Sequence, residues 1–283
     1  MSLNTSIRNI VLSISALTTV LGTAPAIAQG DLLVAPTRVI INGGGNAEIV
    51  LSNIGNQAAT YRIGAELRRM EPDGDFADVT EAEANTTEKA ALEMLRYAPK
   101  RITLLPGQPQ AIRLSARPTP ELPDGEYRVH MSFRAVPPAL SPEAAQEQVA
   151  AGQLAIRLTP VYGITIPVFI RKGRLEAGAT IANPRLGGNA AAKWLELDMR
   201  RTGQRSVYGE ILGKRGGEQV FQIKGIAIYP ELQSRTVKVP LTAEQIGKLS
   251  GPIRIEYREL PENGGQLIAE ITSLQRVVSV REE

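Results

Sequence analysis

Short runs of β-branched and aromatic residues, many alternating apolar with polar, fill this chain from residue 32 onward and limit what it can fold into. Turn-forming Gly, Pro, Asn and Asp residues separate the runs. The runs are LVAPTRVII, NAEIVLSNI, ATYRIGAELRRM, RITLL, QAIRLSARP and EYRVHMSFRAV, then KWLELDMRRTG, SVYGEILGKRGG, QVFQIKGIAIYP, RTVKVPL, IRIEYREL and QLIAEITSL. Strands at this spacing predict an all-β chain built of β-sandwiches.

Connections between these strands carry two kinds of signal. Turn residues at 42–46, 72–74, 106–107 and 123–125 predict four hairpin turns. Two stretches rich in Ala and Glu, residues 80–96 and 141–151, interrupt the strand pattern. The sequence leaves open whether each is a short surface helix or a loop, because isolated helices of this length are marginal.

The N-terminal residues 1–28 have the pattern of an export signal. Arg8 precedes an apolar run from Ile10 to about Val20, and Ala26 and Ala28 form an A-x-A pattern. A membrane anchor is the alternative, but the run is shorter than the roughly 20 residues that a spanning helix needs. The pattern predicts cleavage after Ala28 and an exported protein.

The remaining chain has the length of one large domain or two of ordinary size. The glycine-rich stretch RKGRLEAGATIANPRLGGNAAA, which contains Pro184, predicts a junction between two strand series, with the boundary near Lys172 to Gly178. We therefore predict a signal peptide at residues 1–28, an N-terminal domain at 29–172 and a C-terminal domain at 173–283.

The composition argues against most enzyme chemistry and against nucleic-acid binding. The net charge is only +3, and the basic residues are scattered. The chain has no cysteine, and its one histidine, His130, lies in a predicted strand. These residues cannot build the usual zinc or copper site or a serine protease triad. We expect no metal, no cofactor, no small-molecule substrate and no enzymatic activity.

The most apolar stretch after the N-terminus is LAIRLTPVYGITIPVFIRKG, residues 154–173. It reads as a strand, but Pro160 and Pro167 cannot donate to a sheet, so it is predicted to lie at a sheet edge. The prolines are seven residues apart, which predicts a bulge or a change of partner near Gly163. An ordinary core strand is the alternative. One face of the strand would carry Ile156, Leu158, Pro160, Tyr162, Ile164, Ile166, Val168 and Ile170.

Several motifs in order resemble one family. They are PTRVII, AEIVLSNIGNQAATYRI, YAPKRITLLPGQPQAIRLSARPTPELPDGEYRVHMSFRAVPP and ITIPVFIR. Together they are similar to the N-terminal domain of the periplasmic pilus-assembly chaperones, the PapD-like family of the chaperone-usher pathway. The form of ITIPVFIR is closer to the archaic, divergent branch.

The resemblance implies a boomerang of two immunoglobulin-like β-sandwich domains in the periplasm, without catalysis. It implies partners of two kinds, pilus subunits that lack their final strand and an outer-membrane usher. Such a chaperone inserts its own strand into the subunit's groove. Here the resemblance assigns that donor strand to Leu154, Ile156, Leu158, Pro160 and Tyr162.

Other site residues also follow from the resemblance. Arg38 matches the cleft arginine that holds the subunit's C-terminal carboxylate. The lysine that accompanies it in many members is missing and falls at Pro167, so either another base such as Lys172 replaces it or clients are held differently. Glu126 and Arg171 match an electrostatic pair between the domains.

A secreted pilus subunit or adhesin is the alternative function. Such a subunit should carry a donor extension after the signal and lack its own final strand. In this chain a strand-like run begins at residue 33, and ITIPVFIR is present. Both features favour the chaperone.

Overall fold

The computed structural model describes residues 32–137, 161–189, 192–261 and 264–273. The predicted signal peptide and the stretch 141–151 lie outside the described residues, as do Leu154, Ile156, Leu158 and Pro160.

Strands dominate the described chain. The first half contains β1 Leu32–Ala35, β2 Val39–Asn42, β3 Gly45–Asn53, β4 Ala59–Met70, β5 Phe76–Val79, helix α1 Thr86–Met94, β6 Leu95–Ala98, β7 Arg101–Leu104, β8 Pro109–Ala116, β9 Gly125–Val136 and β10 Gly163–Lys172. The second half contains β11 Ala177–Gly188, β12 Lys193–Gly203, β13 Val207–Arg215, β14 Glu218–Ile228, β15 Ser234–Leu241, helix α2 Ala243–Gly247, β16 Ile253–Arg258 and β17 Leu267–Ser273.

The first sandwich packs two sheets face to face. One has the order β1-β3-β8-β6, and the other has the order β2-β10-β9-β4-β5 with β7 beside β4. Alternating side chains such as Ile49, Ile112 and Phe133 point inward and are fully buried. The Tyr127 hydroxyl donates to the carbonyl of Pro123 at 2.7 Å, a tyrosine corner of the kind found in immunoglobulin-like sandwiches.

The second sandwich has its own core. Its sheets have the orders β11-β12-β15 and β14-β13-β16-β17. Leu195, Ile211, Ile228 and Tyr257 are fully buried between them, in a cluster separate from that of the first sandwich. The prediction of an all-β chain of β-sandwiches is confirmed.

The run LVAPTRVII forms two strands. β1 pairs with β3 in one sheet, whereas β2 pairs with β10 in the other. Pro36, Thr37 and Arg38 form the step between the sheets. This step places Arg38 at the end of the first sandwich that faces the second.

Three of the four predicted hairpins are wrong. Residues 72–74 do connect the paired strands β4 and β5. The turns at 42–46, 106–107 and 123–125 instead join strands that lie in different sheets. The same Gly, Pro and Asn residues serve both kinds of connection, because each needs only a chain reversal.

The glycine-rich stretch that follows the predicted boundary is a strand and not a linker. Most of the glycine-rich stretch forms β11, which pairs with β12 along Ala177–Gly188. A register shift between Ala182 and Arg185 accommodates Pro184, and Asn183 adopts a φ of 51°. Only residues 173–176 separate β10 from β11.

The stretch 80–96 contains a helix. Helix α1 starts at a capping box, in which the Asn85 side chain accepts from the Glu88 amide and the Glu88 carboxylate accepts from the Asn85 amide. Ala91 and Met94 are buried in the first core. Within the described ranges, neither helix has the length and apolar character needed to cross a membrane.

Candidate functional site

Strand β10 has a partner along its whole length on one side only. It pairs antiparallel with β9 from Gly163 to Lys172 without a register shift. On the other side β2 pairs parallel with it, beginning only at Val168. In the described part of the chain, β10 therefore has an open edge from Gly163 to Pro167.

The direction of the backbone groups on this open edge follows from one hydrogen bond. The Ala135 amide donates to the Tyr162 carbonyl at 3.0 Å, which makes these two residues a hydrogen-bonded pair. Such pairs alternate with non-bonded pairs along an antiparallel ladder. The amides of Gly163 and Thr165 consequently point away from β9, toward the open edge.

Pro167 fits this alternation. It pairs with His130 across the ladder, and its nitrogen points to the open edge, one residue before β2 begins. A proline at this position removes no ladder hydrogen bond. The predicted bulge is absent from the described part of β10, since its pairing with β9 has no register shift from Gly163 onward. The alternative, a change of partner near Gly163, stays a prediction, because Pro160 lies outside the described residues.

The apolar face of β10 changes environment along the strand. Val168 and Ile170 are fully buried in the first core, and Ile164 is half-buried against it. Tyr162, on the same alternation, is 58% exposed, and the neighbouring Val161 is 56% exposed. The strand thus contributes to its own core at one end and carries exposed apolar side chains at the other.

Arg38 lies in the cleft between the two sandwiches. Its guanidinium is 3.8 Å from the ring centre of Phe169 and 4.4 Å from that of Tyr208. It makes long hydrogen bonds to the Tyr229 hydroxyl, at 3.4 Å, and to Ser206 Oγ, at 3.3 Å. Burial lowers the pKa of Arg38, but an arginine remains charged. Among the described residues it has aromatic and hydroxyl partners and no ion pair with a carboxylate.

Glu126 and Arg171 lie at the domain interface as a buried ion pair. Arg171 Nε donates to Glu126 Oε2 at 2.9 Å, and the Glu126 side chain is 0% exposed. The other oxygen of Glu126 accepts from the Ser206 amide of the second sandwich at 3.1 Å. One carboxylate therefore connects the end of β10 with the start of β13.

The opposite side of the interface has its own contacts, which sequence reasoning missed. Arg128 of β9 forms an ion pair with Glu231, and Glu231 also accepts from the Met70 amide at 2.8 Å. Arg235 donates to the carbonyls of Asp73 and Ala227.

An apolar cluster joins the sandwiches between these polar contacts. It contains Met70, Phe169, Ala227 and Tyr229, all buried. Phe169 stands on the face of β10 opposite to its core side chains, so both faces of this strand are buried here. The aromatic residues of ITIPVFIR and IAIYP were the available signal for this cluster.

The cleft around Arg38 encloses a cavity of about 560 Å³. Its charged lining residues are Arg38, Arg171, Arg205 and Glu259. Lys172 is not among them, because its Nζ donates to the carbonyls of Pro120 and Leu122 in the loop before β9. The lysine suggested as a substitute base is thus held outside the cavity.

His130 is buried and packs edge-on against Phe76, with ring centres 5.5 Å apart. Burial, reinforced by Arg128 and Arg68, lowers the pKa of His130 to about 3. Within the described ranges, no three His, Asp or Glu residues are grouped as metal ligands.

A comparison with solved structures found several chaperones to which this chain is similar. The YadV chaperone is 15% identical, with a TM-score of 0.47, covering 86% of this chain and 99% of that one. The CupB2 chaperone of Pseudomonas aeruginosa is 11% identical, with a TM-score of 0.46, and the match covers 86% of this chain and 100% of that one. A third similar structure is the CsuC-CsuE chaperone-tip adhesion subunit complex from the archaic chaperone-usher Csu pili of Acinetobacter baumannii. The matched chain is 14% identical, with a TM-score of 0.44, and the match covers 89% of this chain and 99% of that one. No known family profile matches this chain, and no curated protein does.

Proposed function

We propose that this protein is a periplasmic chaperone of the chaperone-usher pathway. It binds pilus subunits that lack a final strand and delivers them to an outer-membrane usher. The observation that carries the proposal is the one-sided pairing of β10, which has an open edge from Gly163 to Pro167. That edge leads directly into the exposed Val161 and Tyr162.

The mechanism is the addition of a strand without covalent chemistry. The backbone groups on the free edge pair with the client's edge strand, and alternate side chains enter the client's groove. The resemblance to the pilus-assembly chaperones assigns this role to Leu154, Ile156, Leu158, Pro160 and Tyr162. The later residues Ile166, Val168 and Ile170 of the same strand stay in the chaperone's own core.

Arg38 supplies the second element of recognition. Its guanidinium is a cation without a carboxylate partner in the described residues, and it faces a cavity large enough for a chain terminus. We assign it to the client's C-terminal carboxylate. Glu126 and Arg171 keep the two walls of this cleft together.

Export follows from the proposed signal peptide, residues 1–28. The protein then acts in the periplasm, and neither ATP nor a cofactor takes part in client binding. A pilus subunit is the weaker candidate, because β10 fills the first sandwich with Val168 and Ile170, and a subunit would lack that strand.

Co-expression tests the proposal. Each fimbrial subunit encoded in the same genome would be produced with the tagged protein, and periplasmic extracts would be purified and sized. We expect a one-to-one complex with at least one subunit. The matched control is the same subunit with a complementing strand fused to its own terminus, which fills the groove and should prevent capture. Equal capture of both forms, or capture of no subunit, would contradict the proposal.

A further inference from the structure

The cavity at the domain interface has a basic residue with no assigned role. Arg171 is neutralised by Glu126, and Lys172 is held by loop carbonyls outside the cavity. The third arginine of the cavity lining is Arg205, in the second sandwich. It is half-buried, and its side chain makes one long hydrogen bond, 3.5 Å to the Ser206 carbonyl. It has no ion pair among the described residues.

Arg205 is held close to Arg38 by its neighbour in the chain. Ser206 Oγ accepts from Arg38 Nη2 at 3.3 Å, and the Ser206 amide donates to Glu126. The segment 205–206 is therefore tied to the first sandwich at two points. Both arginines line the same cavity.

The charges around the cavity leave an excess of positive charge. Three arginines line it, Arg38, Arg171 and Arg205, and Glu259 is the carboxylate in the same lining. Glu126 lies behind Arg171 and neutralises it. Arg38 and Arg205 together exceed Glu259 by one charge, so the cavity suits a ligand with a single negative charge.

We propose that Arg205 is the second cation of a carboxylate-binding site whose first cation is Arg38. The ligand is a chain-terminal carboxylate, which rests on the proposed function. The site replaces the missing lysine at Pro167 with a residue from the other sandwich. Because its two cations come from different domains, it is complete only while Glu126 holds Ser206.

Acetate is a suitable probe of this site. The mature protein would be labelled with ¹⁵N-arginine, and the side-chain Nε–H signals followed while sodium acetate replaces sodium chloride at constant ionic strength. Signals would be assigned with Arg38→Gln and Arg205→Gln. We expect the two signals to shift together with one dissociation constant, and acetamide to shift neither. Arg205→Gln should weaken acetate binding at Arg38 about tenfold.

Controls separate the outcomes. Arg205→Lys keeps the charge and should retain part of the affinity. Arg200→Gln removes an exposed arginine of β12 that does not line the cavity, and should change nothing. If Arg38 shifts while Arg205 does not, or if Arg205→Gln binds acetate normally, the proposal is overturned and the role of Arg38 stands. If neither signal shifts, both assignments are overturned.

A failure of the proposed chaperone function would appear in the co-expression experiment and not in the acetate titration. In that case the wild-type protein would capture no subunit in the co-expression experiment, whatever acetate does. If the wild type captures a subunit and Arg205→Gln captures it equally well, the second-cation role is wrong and the proposed function stands.

Discussion

Arg38 illustrates how one residue can be placed by its neighbours. Its guanidinium lies against Phe169 of the first sandwich and Tyr208 of the second. Stacking on aromatic rings partly compensates for the loss of water without using up the charge. The cation therefore remains available for an anion that enters the cleft.

Replacing Arg38 by Met should separate charge from packing. The Met side chain keeps apolar contact with Phe169, so we expect a fall in the free energy of unfolding of only about 1 kcal/mol, the value of a partly buried cation–π contact. Capture of subunits should fall at least about tenfold, because a charge-assisted bond to the terminal carboxylate is lost. Thermal unfolding and co-purification measure the two effects. Normal capture by this variant would reject the role of Arg38 in binding.

His130 should make stability depend on pH. Its pKa in the folded state is about 3, below the ordinary value of 6.5, because it is buried beside Arg128 and Arg68. Between these pH values the unfolded chain binds a proton that the folded chain does not, so the free energy of unfolding falls as pH falls. The slope from this residue approaches about 1.4 kcal/mol per pH unit.

His130→Gln tests this directly. Urea unfolding at a series of pH values from 4 to 7 would be measured for both proteins. The difference in slope between them isolates His130, because the carboxylates are common to both. Parallel curves for the two proteins would show that His130 does not titrate as described.

At the scale of elements, the hairpin of β4 and β5 contacts both sandwiches. Its turn contacts the second sandwich where Arg235 donates to the Asp73 carbonyl at 2.8 Å. Phe76, at the start of β5, lies between His130 and Tyr229, with ring centres 5.5 and 5.7 Å away. The hairpin belongs to the first sandwich by its pairing and to the interface by these contacts.

Gly74→Ala should weaken the contact between the turn of this hairpin and Arg235. A Cβ at Gly74 would lie 1.8 Å from Arg235 Nη2, so the arginine has to move. Gly107→Ala is the matched control, because it also has a positive φ but nothing within 4 Å of the added carbon. We expect faster hydrogen exchange at residues 71–79 and around Ala227 in Gly74→Ala only. Equal exchange in the two variants would show that the contact is unimportant.

The sequence could predict elements better than their arrangement. Alternation located β4 and β12 with the bounds that the structure has, because each strand buries one face. Alternation could not show that β1 and β2 enter different sheets. A strand that crosses from one sheet to the other and a strand that continues in one sheet have the same local sequence pattern. Alternation also missed β11, because glycine and proline are typical of linkers and only pairing with β12 makes this stretch a strand.

The candidate site divides in the same way. Motif order pointed to Arg38, Glu126 and Arg171. In the structure Arg38 and Arg171 line the cavity, and Glu126 forms an ion pair with Arg171. Arg205 had no signal in the sequence, because its role depends on how the second sandwich packs against the first. Contacts between domains leave no periodic pattern along the chain.

At the scale of the whole molecule, the interface has three parts. Glu126 connects the sandwiches on one side, Glu231 connects them on the other, and the cluster around Phe169 lies between. Polar contacts on both sides of an apolar centre restrict rotation about the interface. The cleft should therefore keep its shape when no client is present.

Changing Glu126 tests this rigidity. Glu126→Gln leaves Arg171 without its buried ion-pair partner and weakens the hydrogen bond to the Ser206 amide. Breaking a buried ion pair by removing one partner costs about 3 to 5 kcal/mol. We expect the angle between the sandwiches, measured by small-angle scattering, to change more than the melting of either one. Scattering curves identical to wild type in both Glu126→Gln and Arg171→Gln would contradict this account.

The donor strand is the central claim for the molecule. The alternation of the sequence places Ile156 and Leu158 on the face that leads to Tyr162, which is exposed in the free protein. Each such side chain contributes roughly 1.5 to 3 kcal/mol when it moves from water into a client pocket. If they belonged to this protein's own core, large-to-small changes would instead cost about 2 to 5 kcal/mol each in stability.

The most direct measurement compares client capture and thermal midpoint in the double variant Ile156→Ser, Leu158→Ser. The matched control is Arg157→Ser, Thr159→Ser, which changes the opposite alternation of the same stretch. We predict that the first variant keeps the midpoint of the free protein and loses its subunit on co-purification from the periplasm, while the control retains both. A large fall in the midpoint of the first variant, or full capture by it, would contradict the donor-strand assignment.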